Sequence, residues 1–119
     1  MKHKVEVILF GDAKIAYEKL NSIIKEKRSE HRIYDNELML MNSIKKKMEL
    51  IRLNPFYGDN IPKRLIPSEY GVDNLWRVEL PGYWRMIYAI QGNTVEIRCF
   101  ILDIFNHKEY NKIFGYKKR

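Results

Sequence analysis

Two arginines stand in runs that otherwise read as strands of aromatic and aliphatic residues. Arg77 interrupts "NLWRVEL" (74 to 80) and Arg85 interrupts "YWRMIYAI" (83 to 90), with Glu79 two residues beyond the first. A guanidinium stays charged and offers a planar fork of donors suited to bidentate contact with phosphate. The plainer reading is a cross-strand Glu79–Arg85 pair on a solvated face, contributing roughly 0.2 to 1 kcal/mol and no chemistry. Strand register decides which side chains the arginines stand among.

A slip of one residue moves every side chain of a strand to the opposite face. With "PGY" (81 to 83) as a three-residue loop, Leu80, Val78 and Trp76 lie opposite Trp84, Met86 and Tyr88. With "GN" (92 and 93) as a two-residue loop, Tyr88 and Met86 lie opposite Ile97 and Cys99. That face is almost wholly apolar. The other collects Arg77, Glu79, Arg85, Glu96 and Arg98, with Glu79 directly across from Arg85 and Arg77 diagonal to it. A two-residue Pro81-Gly82 turn would instead leave Arg85 among Trp76, Val78 and Leu80 without a partner, which is costly.

The remaining chain supplies the elements that must hold these strands. "VEVILF" (5 to 10) reads as a short strand ended by Gly11. Asp12 can cap a helix whose Ala13, Ala16, Tyr17, Leu20, Ile23 and Ile24 recur at helical spacing. The pattern breaks at "KEKRSEHR" (25 to 32). Asp35 or Asn36 then opens a second helix with Leu38, Met41, Ile44, Met48 and Ile51 on one face, ending at Asn54 before Pro55. Residues 55 to 71 read as a loop with a short extended piece at Lys63 to Ile66. After the strands 74–80, 84–90 and 94–102, Asn106 can cap a last short helix, "HKEYNKIF". The expected fold is a single α+β domain over residues 1–119: an antiparallel sheet of about four strands, an N-terminal helical hairpin on one face and a short C-terminal helix.

At 119 residues, 45% hydrophobic and 31% charged, the chain has the composition of one globular domain. A net charge of +7 attracts polyanions such as RNA, DNA or an acidic protein without choosing among them. The single Cys99 excludes an internal disulfide and falls on the apolar face, packed rather than reactive. Three scattered histidines (His3, His31, His107) give no metal-ligand spacing, so no metal or cofactor is implied. No stretch has the length and apolarity of a signal peptide or membrane span, and a cytoplasmic location is expected. "KKK" (45 to 47) reads as a solvated helix face and the terminal "KKR" as a basic tail.

Taken in order, "NPFYGDNIPKRL", "LWRVELPGYWRMIYAI", an alternating strand and "NHKEY" resemble the RelE/ParE superfamily of toxins of type II toxin-antitoxin systems, nearest its RelE and YoeB branches. The likeness covers about residues 50 to 114. It implies a ribosome-dependent mRNA interferase: a metal-independent endoribonuclease in which a ribose 2′-OH attacks the adjacent phosphate in the ribosomal A site. Such a site must remove the 2′-OH proton, stabilise a crowded phosphorane dianion and assist departure of the 5′-oxygen. By resemblance Arg85 is the strand arginine that binds the phosphate, with Arg77 beside it. His107 and Tyr110 fall where the family has its C-terminal acid/base and stacking residues. Glu79 replaces a lysine of some relatives and is either the base or the arginine's partner. Lys63 and Arg64 stand where the YoeB branch has a glutamate base, which makes RNA binding their expected role, shared with Arg98 and Lys108. The implied partners are a cognate antitoxin, whose disordered segment folds on the basic surface, and the ribosome with its mRNA. The same fold also supports gyrase-inhibiting toxins of the ParE kind and relatives that bind RNA or protein without cutting.

Overall fold

A computed structural model describes residues 4–30, 36–93 and 95–115. His3, His31, Asp35 and the basic end at 116–119 lie outside the described residues.

The chain runs β1 (Lys4–Leu9), α1 (Asp12–Ser29), α2 (Asn36–Leu53), β2 (Asp59–Asn60), β3 (Trp76–Leu80), β4 (Trp84–Gly92), β5 (Glu96–Phe105) and α3 (His107–Phe114). Five strands form one sheet in the order β1-β5-β4-β3-β2. It is mixed rather than antiparallel, because β1 pairs parallel to β5. The strands from β3 to β5 are joined by hairpins that force alternate directions, whereas β1 arrives from across the helical pair and no hairpin constrains it. Among the described residues no helix is long and apolar enough to cross a membrane.

The α1–α2 pair covers one sheet face. Ala13, Leu40, Ile44 and Ile51 are buried there against Val78, Leu80, Met86, Tyr88, Cys99, Ile101 and Ile104. Helix α2 thus buries Leu40 where the expected stripe has Leu38. Helix α1 starts with Asp12 already inside its first turn and Gly11, at φ 55°, before it; it runs through the charged 25–29 segment, whose long side chains are good helix formers. Tyr88 is fully buried, donating to the Pro55 carbonyl at 2.7 Å and accepting from Gly58 N–H at 2.9 Å. This fastens the loop after α2 to the sheet. Gly58 is required, since a Cβ would lie 2.8 Å from the Arg77 carbonyl oxygen and 3.0 Å from the Tyr88 ring.

The three-residue Pro81–Tyr83 loop pairs Leu80 with Trp84 and Glu79 with Arg85, as expected. The next hairpin differs. β4 continues to Gly92, which faces Ile97, and Asn93 turns the chain by accepting from Val95 and Glu96 N–H. Cys99 therefore faces Ile90, not Met86, and Ile101 faces Tyr88. The slip is four residues, an even number, so Ile97 and Cys99 keep the expected face. Past Ile101 a bulge does change the faces: Asp103 pairs with Ile87 and Phe105 with Arg85, leaving Leu102 as the extra residue.

That bulge builds a second core on the face expected to carry only charge. Ile61, Leu75, Ile87, Phe105 and Tyr110 are buried together, with Ile66, Tyr70 and Val72 from the loop and Ile113 and Phe114 from α3 packed on them. The extended piece expected at Lys63 to Ile66 is a 3₁₀ turn at Lys63–Leu65; the extended pairing comes earlier, at Asp59–Asn60, opposite Arg77 and Trp76.

Candidate functional site

Asn106 opens α3 with a full capping box: its side chain accepts from Glu109 N–H at 2.8 Å while Glu109 returns to Asn106 N–H at 3.3 Å. This fixes the helix directly after β5, with His107 in its first turn and Tyr110 one turn on. Tyr110 is 4% exposed, its ring stacked on Phe114 at 4.4 Å and edge-on to Phe105 at 5.6 Å. Both arginines converge on it. The Arg85 guanidinium lies 4.6 Å from its ring centroid, and Arg77 donates to its hydroxyl at 3.2 Å. Tyr110 is therefore a packed post that sets the two guanidiniums, not an open platform for a base.

Arg85 turns to His107 rather than to Glu79. Its guanidinium lies 3.0 Å from His107 Nδ1, and no ion pair joins it to Glu79 although the two residues are directly opposite. An arginine can only donate, so this contact exists only while Nδ1 carries no proton. The neutral ring then bears its hydrogen on Nε2, 3.1 Å from the Asn111 carboxamide. Turning the carboxamide so that its oxygen accepts from Nε2–H also gives a partner to Asn111 Oδ1, which is otherwise buried and unpaired.

Arg77 reaches Asp59 at 3.7 Å, and the Tyr110 hydroxyl holds its guanidinium above the usual arginine range. On both Arg77 and Arg85 the Nε atom is buried without a hydrogen-bond partner. The buried Nε atoms are closed to an incoming group, so it is the outer guanidinium nitrogens of two cations set on one ring that suit the site to an anion. On the same sheet face, opposite Ile87, Asp103 is buried and accepts from the Tyr70 hydroxyl at 3.0 Å; burial raises the Asp103 carboxyl above its ordinary value and raises Tyr70 as well. Cys99 is buried on the opposite face, its thiol pushed up to about 11 by burial, in keeping with a packed role.

The structure thus brings together Arg77, Arg85, His107 and Tyr110, with Glu79 exposed at their edge. It leaves Lys63, Arg64 and Lys108 exposed and without a contact to the pair. Arg98 faces Gln91, six residues along β4 from Arg85, or roughly 20 Å at strand spacing. There it is ion-paired to Glu96 at 2.7 Å and Glu6 at 3.6 Å, so it is no part of this site. Sequence reasoning missed Asp59, Phe105, Asn111, Phe114 and Tyr83, whose ring lies 6.2 Å from His107. Asn111 and Phe114 stand four residues after His107 and Tyr110, a helical spacing that offered the signal.

No family model, curated protein or solved structure matches this chain.

Proposed function

We propose that this chain is a ribosome-dependent mRNA interferase, the toxin of a type II toxin-antitoxin pair. The observation that carries this reading is the convergence of Arg77 and Arg85 on Tyr110 with the His107 ring in contact with Arg85. The two guanidiniums hold the scissile phosphate and the charge that builds on it. Glu79, exposed and not ion-paired to Arg85, takes the 2′-OH proton; the 2′-oxygen bonds to phosphorus and the bond to the 5′-oxygen breaks. His107 Nε2–H, the ring's one donor, gives its proton to that departing oxygen. The products are a 2′,3′-cyclic phosphate and a 5′-hydroxyl.

The test is to add the protein to ribosomes programmed with a defined mRNA and map new 5′ ends. Cuts at A-site codons are expected, lost in Arg85→Ala and lowered at least 100-fold in His107→Ala, the scale of general acid catalysis. An uncut message, where an active interferase cuts, overturns the reading. The burial of Tyr110 and the engagement of both His107 nitrogens favour one alternative, a relative that binds RNA and cuts nothing.

A further inference from the structure

With Tyr110 enclosed, the site has no base-stacking residue of the expected kind, yet an aromatic ring does stand open at its rim. Tyr83 is 78% exposed, the most exposed large apolar side chain among the described residues. It is also the one described non-glycine residue with positive φ, at 63°, a conformation that costs a bulky side chain and that glycine or asparagine would adopt more readily. Neither exposure nor strain helps the fold, so packing does not account for a tyrosine here. Its ring is tilted 57° to that of His107, and with Glu79 and Arg85 it lines a cleft at the Arg85 end of the site.

We propose that Tyr83 is the platform of a nucleobase subsite, stacking on the unpaired base of the nucleotide whose phosphate the arginines hold. The charge around the cleft sets the orientation. Arg85 draws the phosphate to one end, while the Glu79 carboxylate repels a second phosphate and accepts hydrogen bonds from ribose or base donors. What lies over Tyr83 is therefore a base and not more backbone. Stacking tolerates any base, so the subsite selects single-stranded over paired nucleic acid. The inference rests on the proposed anion site but not on cleavage.

The test compares two labelled pentamers with 2′-deoxy backbones, which cannot be cut by 2′-OH attack: one abasic throughout, one carrying a single central guanine. Wild-type protein is expected to prefer the guanine pentamer about tenfold, the size of one base–aromatic stack. Tyr83→Phe should keep the preference. Tyr83→Asn should abolish it while unfolding at no lower temperature, because asparagine tolerates the left-handed backbone. Equal binding of both pentamers by the wild type, or an undiminished preference in Tyr83→Asn, overturns the subsite. If the preference behaves as expected but ribosomal mRNA stays intact, the subsite stands and the nuclease reading falls.

Discussion

The two faces of the sheet are built on opposite terms. Under α1 and α2 the core is built of aliphatic and aromatic side chains, and strand alternation meets helical stripes of the same character. On the other face a smaller core encloses Tyr110, and two arginines are set against it with unpaired Nε atoms. Burying polar atoms that way lowers stability. The first face holds the fold, and the second uses that stability to hold cations in place.

The sharpest way to break this contrast is to cut into the first face. Ile44→Ala removes a fully buried side chain between α2 and the sheet. It should cost about 2 to 5 kcal/mol, read as a lowered urea midpoint. A loss under about 1 kcal/mol would mean that the helical layer is not the main support.

Tyr88→Phe probes the tie between that core and the loop leading to Asp59. It strands the Pro55 carbonyl and the Gly58 N–H, and should cost about 1 to 3 kcal/mol. Tyr88's hydroxyl, pushed up to about 12 by burial, stays protonated throughout, so the loss should be the same from pH 5 to 9.

The smallest effect belongs to Asp103 on the second face. Its folded-state pKa is raised, chiefly by burial, so between its unfolded and folded values the native state binds more protons and stability falls as pH rises. Asp103→Asn, still able to accept from Tyr70, should be more stable than wild type at pH 7. The gain should vanish as pH falls below about 4, the ordinary aspartate value. Equal stability at both pH values would show that the carboxylate is not penalised.

The same contrast governs how much was legible in the sequence. The helix-covered face follows from alternation alone: Val78, Leu80, Met86 and Tyr88 fix the Pro81–Tyr83 loop, and the even slip at β4–β5 left the faces unchanged. Asn106 as a cap was also readable, because capping is local. The direction of β1 was not, since it depends on a path across the helices. Nor was the bulge at Leu102: alternation breaks within "FILDIF", beyond the expected strand end at residue 102, and it is this break that turns Phe105 to the second face and encloses Tyr110. The arginines and His107 could be named from their residue types and a family likeness. Their mutual contacts could not, because Arg85 has Glu79 opposite it in register and turns to His107 instead.

The most direct test of the arginine pair is the salt dependence of affinity for a short single-stranded RNA. Wild type, Arg77→Ala, Arg85→Ala and the distant Arg98→Ala would be compared. Each of the first two substitutions should lower the slope of log K against log salt by about 0.7, one phosphate contact on a single strand, and Arg98→Ala should leave it unchanged. Unchanged slopes for Arg77→Ala and Arg85→Ala would contradict the claim that this face grips phosphate.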